Sequence, residues 1–179
     1  MMEKAQKLFE ENVKSEDVKK HCLEVSTIMA SLAKELGENE EDWAIAGLMH
    51  DADCDITPDI SVQGKRAAEI LKENGFKEEL SHAVLAHNEE NLGIKRESKL
   101  DYVLSAADNI SGLIYAYGLM RKSLEGMEAK KLKEKLKNKA FAATVRRDLI
   151  LDVEKFMPLD KFLEISIKAM QSISKQIGF

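Results

Sequence analysis

Apolar residues recur at intervals of three and four along nearly the whole chain, and no segment alternates apolar and polar residues with a period of two. The first pattern indicates amphipathic α-helices, whereas the second would indicate β-strands. In the stretch after Ser15, for example, Val18, Cys22, Val25 and Met29 form one apolar stripe. The sequence therefore predicts an all-α fold.

Start and stop signals divide this pattern into helices. Gly37 is expected to end the second helix, Asn39 to cap the third, and Ser98 with Asp101 resembles a capping box. The third helix, which runs to Met49, is apolar nearly all round and should lie at the centre of the fold. The other predicted helices cover about residues 3–13, 15 or 16 to 36, 61–73, 77–88, 99–120, 140–156 and 159–176, with a loop at 53–59, a linker at 89–97 and an exposed helix or ordered linker at 125–139.

Length and composition predict one domain over residues 1–179, since 179 residues with 44% hydrophobic side chains can bury a sizeable core. No domain boundary is evident. We expect a core unit at about 16–122 and a C-terminal helical extension at about 123–179 that braces it.

Charge and cysteine content narrow the possible partners and the compartment. The formal net charge of -5 argues against non-specific binding to a nucleic acid polymer or to an anionic membrane. The first residues are charged and amphipathic, unlike a signal peptide or a membrane span. Two cysteines without a secretory leader are typical of a reducing compartment, so we expect a cytoplasmic protein. The sequence leaves a homo-oligomer open.

The candidate chemistry begins where the apolar third helix ends in His50 and Asp51, followed by Asp53 and Asp55. An interior helix gains nothing in packing from an imidazole and several carboxylates, so a polar partner must meet them. Neighbouring side chains on a continuing helix point about 100° apart, whereas at a helix end His50 and Asp51 can converge on one atom.

Two further polar residues are predicted to point inward, namely His21 on the second helix and Asp108 on the strongly apolar helix at 99–120. Taken singly, His21 could be a hydrogen-bonded core histidine and Asp108 the partner of a buried cation. Together with His50 and Asp51, they provide two imidazoles and two carboxylates, a set that suits one divalent Mn, Fe, Co, Ni or Zn ion. Such an ion lowers the pKa of its water and polarises a phosphoryl oxygen.

At these residues the sequence resembles the HD superfamily of metal-dependent phosphohydrolases. Ala46-Gly47-Leu48-Met49-His50-Asp51 is similar to the family's AGLLHD motif, and an upstream histidine and a distal aspartate fall on His21 and Asp108. The tail is similar to that of small stand-alone bacterial and archaeal members. The resemblance implies a compact helical bundle in which His21, His50, Asp51 and Asp108 hold the metal.

The chain departs from the family pattern at the residues expected near a second metal. Gln63 stands where two-metal members usually have a histidine. At the later position, where those members have one or two further histidines, this chain has His87-Asn88. We therefore expect one metal, with a weak second site possible at Asp51 and His87. His87 is alternatively a base that positions water, or an outer hydrogen-bond partner.

A further departure concerns the proton donor. Cys54 stands where some relatives have Glu and others Lys. Asp53 or Asp55 could supply an acid or orient the water beside Asp51, although capping of the helix end is an equal alternative. The predicted catalytic residues are therefore Asp51, Asp55 and His87.

Phosphate recognition would require cations near the metal, and the candidates are Lys65, Arg66, Arg121 and Arg146. The leading hypothesis is a metal-dependent phosphohydrolase that acts on a small phosphorylated molecule, such as a nucleotide, through a metal-activated water. The alternative is a non-catalytic regulatory module that binds a metal or a nucleotide, favoured by the changes at Gln63 and Cys54.

Overall fold

The computed structural model describes residues 1–57 and 59–179, so Pro58 of the predicted loop lies outside the described residues. The described chain contains helices and no β-strand, which confirms the predicted all-α fold. The helices are α1 (Met2–Asn12), α2 (Glu16–Leu36), α3 (Glu40–Met49), α4 (Lys65–Glu73), α5 (Glu78–His87), α6 (Glu89–Leu92), α7 (Lys99–Arg121), α8 (Ala129–Lys137), α9 (Arg147–Leu151), α10 (Leu159–Ser172) and α11 (Ser174–Ile177), with short 3₁₀ helices at Ile60–Val62 and Asp152–Lys155.

The capping signals read from the sequence are confirmed. Asn39 accepts the N–H of Asp42, and Gly37 ends α2 in the left-handed region with φ of 72°. Ser98 and Asp101 form a capping box at the start of α7. These caps satisfy backbone groups that would otherwise lack partners at the helix ends, and they fix where the three central helices begin or end.

Helix α3 is central, as predicted, because every residue from Asp42 to Met49 is buried. It packs along α2, and α7 and α5 cover its other sides. From the C-terminal extension, α10 packs against α2 and α7. Gly47 permits the close approach of α3 to α2, since a Cβ at this position would lie 2.8 Å from the Cα of Ser26.

Two predicted helix starts are wrong. The helix predicted from residue 61 begins at Lys65, after Gly64 in a left-handed conformation with φ of 90°. The helix predicted over 140–156 begins only at Arg147. The preceding segment forms turns because the Arg147 guanidinium donates to backbone carbonyls of five residues, namely Leu136, Asn138, Phe141, Ala142 and Val145. These carbonyls are thereby satisfied without a helix.

Candidate metal centre

The candidate metal centre lies where α2, α3 and α7 meet. The close contact of α2 with α3 at Gly47 brings His21 of α2 near His50, which directly follows α3. The Nε2 atoms of the two imidazoles lie 3.2 Å apart. Asp108 enters from α7, with Oδ1 lying 3.1 Å from Nε2 of His21 and 3.8 Å from Nε2 of His50.

Asp51 completes the cluster. Its Oδ2 lies 3.5 Å from Nε2 of His50 and 3.8 Å from Nε2 of His21. One potential ligand atom from each of His21, His50 and Asp51 lies within 4.8 Å of the others, an arrangement that can hold a metal ion. The structure therefore brings together all four residues that the sequence predicts as ligands. Their role as ligands remains a prediction.

Hydrogen bonds on the far side of each imidazole determine which nitrogen faces the cluster. Nδ1 of His50 lies 2.8 Å from the carbonyl oxygen of Gly47, which can only accept, so Nδ1 carries the hydrogen and Nε2 presents a lone pair. Ser111 donates to the carbonyl oxygen of Asp108 and lies 3.3 Å from Nδ1 of His21, which can therefore donate to the hydroxyl oxygen. Both imidazoles are thus oriented with Nε2 available for a metal ion.

This donor set fits a divalent cation. Two imidazole lone pairs that face each other beside two carboxylates repel one another unless a proton or a metal ion lies between them. Imidazole and carboxylate ligands together suit divalent transition metals. The residues present therefore fit the metal ion that the sequence resemblance implies.

Charge coupling within the cluster shifts the pKa values of its members. Burial alone would lower the pKa of His21, but the hydrogen bond and charge of Asp108 raise it to about 9. Burial lowers the pKa of His50. Burial opposes ionisation of Asp51 and Asp108, yet neighbouring imidazoles, chiefly His50 for Asp51 and His21 for Asp108, hold their pKa below the usual range. Without a metal ion, the His21 proton is the positive charge of the cluster.

His87 of α5 lies on the other side of Asp51, with Nε2 lying 3.4 Å from Oδ1 of Asp51. Its Nδ1 is hydrogen-bonded to the carbonyl of Val84, so Nε2 is again the nitrogen that faces the site. Burial would lower the pKa of His87, but the hydrogen bond with Asp51 raises it. Gly64 packs against this ring, and a Cβ there would lie 3.3 Å from Cε1 of His87.

A cavity of about 660 Å³ opens on Asp51, His87 and Asp108. Its size is within the range of small-molecule sites. The remaining wall is polar or charged except for two apolar side chains, and its other residues are Ile60, Gln63, Asn88, Glu89, Glu90, Asn91, Gly93, Lys95, Arg96, Asn109, Arg146 and Leu149. Gln63, in the position of the family histidine, donates to the backbone carbonyl of Thr57.

The catalytic role predicted for Asp55 requires correction. Its exposed carboxylate accepts the backbone N–H groups of Lys14 and Ser15 between α1 and α2, and it does not line the cavity. Asp53 is also used in capping, since its buried carboxylate accepts N–H groups of Gly64, Arg66 and Ala67 at the start of α4. Both acids thus bind backbone N–H groups of other segments, whereas the alternative drawn from the sequence was capping of the end of α3.

Three of the four predicted substrate-binding cations lie elsewhere. Lys65 is exposed at the start of α4, and Arg66 forms ion pairs with Glu69 and Glu73 along the outer face of the same helix. Arg121 is thirteen residues beyond Asp108 on α7, which corresponds to about 20 Å along the helix axis. It donates to the carbonyl oxygen of Glu125. Proximity in sequence to the metal-site residues did not translate into proximity in space.

Arg146 does line the cavity, and the structure adds two cations that sequence reasoning missed, Lys95 and Arg96. Arg96 pairs with Glu89 and Asp152, and Lys95 also pairs with Glu89. The Arg146 guanidinium pairs with Glu90 and Asp148, which are 68% and 64% exposed. Because both of its partners are solvated, Arg146 can exchange these ion pairs at low cost.

Ser111 and Asn109 are also absent from the sequence-based set of site residues. Both follow Asp108 in an otherwise apolar helix. The polar Asn109, directly after a candidate ligand, was the signal in the sequence that could have identified a further site residue. Their partners, His21 and the backbone of Arg146, come from distant parts of the chain. The contacts therefore could not be read from spacing within α7.

Comparison with known proteins agrees with this geometry. The sequence profile of the HD domain matches residues 18–113, which is more than half of the chain. The chain therefore belongs to the HD-domain family, whose members are metal-dependent phosphohydrolases. The matched region includes all four candidate ligands and His87.

Curated relatives include Ribonuclease Y of Cutibacterium acnes, which is 36% identical over 107 residues, or 59% of this chain and 19% of the relative. Ribonuclease Y of Oleidesulfovibrio alaskensis is 34% identical, and that of Geobacter sulfurreducens 36% identical, each over 101 residues that cover 55% of this chain and 18% of the relative. The chain thus matches about a fifth of the length of these relatives. No solved structure shows a significant match. Among the helices of residues 1–57 and 59–179, none has the length and hydropathy of a transmembrane span.

Proposed function

We propose that the chain is a metal-dependent phosphohydrolase that acts on a small phosphorylated molecule, a nucleotide or another phosphate ester. The observation that supports this proposal most directly is the convergence of two imidazole Nε2 atoms and two carboxylates, because both carboxylates also line a cavity of about 660 Å³. The cavity carries an exchangeable cation, Arg146, in its wall.

His21, His50, Asp51 and Asp108 would hold one divalent ion, of Mn, Fe, Co, Ni or Zn. The ion supplies a Lewis acid and lowers the pKa of bound water. The hydrogen bonds from His50 to Gly47 and from His21 to Ser111 hold the imidazoles in the tautomer that this role requires. A weak second site at Asp51 and His87 would have Gln63 in place of a family histidine.

His87 and Arg146 are the residues proposed to act on water and substrate. Nε2 of His87 lies beside Asp51 and faces the cavity, where it can orient a water molecule held at Asp51. Arg146 can exchange its contact with the exposed Glu90 for a phosphate oxygen. The two side chains line one cavity, which supports a joint role in orienting water and binding a phosphate group.

The proposal is tested by measuring bound metal in the purified protein and by screening phosphate esters with each divalent ion. His50→Ala and Asp51→Ala should abolish both metal binding and hydrolysis. Asp55→Asn is the matched control, because Asp55 lies in the same loop but outside the cavity, and it should retain both. Hydrolysis that persists unchanged in His50→Ala and Asp51→Ala would refute the mechanism.

Cleavage of RNA is a second candidate function, favoured by the ribonucleases among the relatives. The exposed carboxylates of Glu90 and Asp148 beside Arg146 argue against it, since they would repel the successive phosphates of a polymer. Incubation with a labelled single-stranded oligoribonucleotide and with a mononucleotide, at equal phosphate concentration, distinguishes the two. Preferred cleavage of the oligonucleotide would favour the ribonuclease function. Metal or nucleotide binding without any turnover would favour the regulatory alternative.

A further inference from the structure

Asn109 is the residue that follows Asp108 on α7, and its half-buried carboxamide lies in the cavity wall. Its Nδ2 donates to the carbonyl oxygen of Ser105 at 2.9 Å and to Oδ2 of Asp108 at 3.3 Å. Its Oδ1 accepts the backbone N–H of Arg146 at 2.8 Å. A single side chain thus joins a candidate metal ligand to the segment that carries the cavity's exchangeable cation.

The contact with Asp108 orients the carboxylate without neutralising it. Oδ1 of Asp108 faces Nε2 of His21 and of His50, while Oδ2 receives the amide hydrogen. A neutral donor of this kind restricts rotation of the carboxylate and leaves its charge available to a metal ion. Removal of a residue that hydrogen-bonds to a metal ligand typically weakens metal binding by about 10- to 100-fold.

The contact with Arg146 fixes the end of an irregular segment. Residues 138–146 form no helix, and α9 begins at Arg147. The N–H of Arg146 precedes the helix and therefore has no intrahelical acceptor, so the Asn109 carboxamide satisfies it. This bond holds the backbone from which the Arg146 guanidinium reaches Glu90 at the cavity.

We infer that Asn109 is a positioning residue that fixes the Arg146 cation relative to the metal centre. It acts through Asp108 on metal affinity and through Arg146 on phosphate affinity. The second half of this inference rests on the proposed function, because only a phosphorylated ligand makes use of Arg146. Loss of Asn109 should therefore produce two separable defects.

The test uses Asn109→Ala, Arg146→Gln and the double variant. Metal affinity is measured by competition with a chromophoric chelator, and binding of inorganic phosphate by calorimetry at saturating metal. Asn109→Ala should weaken metal binding by about 10-fold and also weaken phosphate binding. In the Arg146→Gln background, Asn109→Ala should still weaken metal binding by about 10-fold, but it should weaken phosphate binding no further.

Asn91→Ala is the matched control for metal affinity, because Asn91 lines the same cavity and its Nδ2 donates to Oδ1 of Asn88 instead of a candidate ligand. It should bind metal as the unaltered protein does. If Asn109→Ala does not fold, the same measurements on Asn109→Ser decide the matter. Unchanged metal affinity, or an equal loss of phosphate affinity with and without Arg146, would overturn the inference.

Failure of the proposed function would give a different result. If the unaltered protein binds metal and phosphate but hydrolyses no ester, the phosphohydrolase proposal fails. The binding measurements still decide the role of Asn109, since neither of them depends on turnover.

Discussion

His21 and His50 face each other through their Nε2 atoms at 3.2 Å, and each ring has its Nδ1 within hydrogen-bonding distance of an oxygen on the far side. Two lone pairs cannot approach in this way without a positive charge between them. In the metal-free protein that charge is the proton of His21, whose pKa Asp108 raises to about 9 against the opposing effect of burial. A metal ion must displace this proton in order to bind.

Metal affinity should consequently rise with pH. His21 is largely protonated below pH 9, so binding releases one proton and the apparent affinity should increase by about tenfold per pH unit between pH 7 and 8.5. Above pH 9 the dependence should flatten, since His21 is then already neutral. Chelator competition at several pH values measures this slope. A slope of zero would show that His21 does not lose a proton to the metal ion.

Ser111 is expected to control metal binding through His21. Ser111→Ala removes the hydroxyl oxygen that lies 3.3 Å from Nδ1 of His21, and metal affinity should fall by about 10-fold. Ser105→Ala is the matched control, because Ser105 is a buried serine on the same helix whose hydroxyl donates to the carbonyl of Asp101. The shift in melting temperature on adding metal, measured for both variants, checks the prediction. Equal shifts in the two would contradict it.

The approach of α2 to α3 should tolerate no side chain at Gly47. Gly47→Ala would place a Cβ 2.8 Å from the backbone of Ser26, so we expect a loss of about 1–3 kcal/mol in the free energy of unfolding. Gly112→Ala on α7 is the control, since its Cβ would lie 3.6 Å from a methyl group of Val145 and should be accepted. Urea denaturation compares them. Equal stability of the two variants would show that the contact of α2 with α3 can adjust.

Glu24 should make stability depend on pH. Its side chain is 3% exposed, and burial raises its pKa from 4.5 to about 7. Since the folded pKa lies above the unfolded one, the stability that Glu24 contributes is fully present below about pH 4.5 and is lost as the pH rises through 7. Glu24→Gln should therefore raise the free energy of unfolding at pH 8 by about 3 kcal/mol relative to its effect at pH 4.5.

Denaturation of metal-free protein at the two pH values measures the effect of Glu24. Glu3→Gln, which removes an exposed carboxylate from α1, is the control for net charge. A change of the same size in both variants would show that burial of Glu24 is not the cause.

The fold and the four clustered residues could be predicted from the sequence for a common reason. Helical periodicity identifies α2, α3 and α7, and a His-Asp pair that ends a wholly apolar helix has few explanations in packing. His21 and Asp108 are costly inside a protein and therefore require partners in any arrangement of these helices. Their meeting at His50 follows from burial and charge, without knowledge of the crossing angles.

The cations of the cavity could not be predicted in this way. Arg66 and Arg121 lie near the metal-site residues in sequence, but helix rotation directs Arg66 outward and the rise of α7 carries Arg121 away. Arg96 reaches the cavity from a linker whose path depends on Gly93, which ends α6 in the left-handed region. The turns before Arg146 belong to a segment, 140–156, whose amphipathic pattern predicts a helix. Their carbonyls instead accept hydrogen bonds from Arg147.

Arg147 is expected to stabilise the segment that positions Arg146. Its planar guanidinium donates to five backbone carbonyls, a number that the ammonium group of lysine cannot match. Arg147→Lys should lower the free energy of unfolding by about 1–3 kcal/mol and weaken phosphate binding, since the backbone before Arg146 loses its support. Arg66→Lys, which alters an exposed ion pair on α4, should change stability by less than about 0.5 kcal/mol. Urea denaturation and phosphate calorimetry measure both effects. Normal phosphate binding by a destabilised Arg147→Lys protein would separate the turn from the cavity and contradict the proposed link.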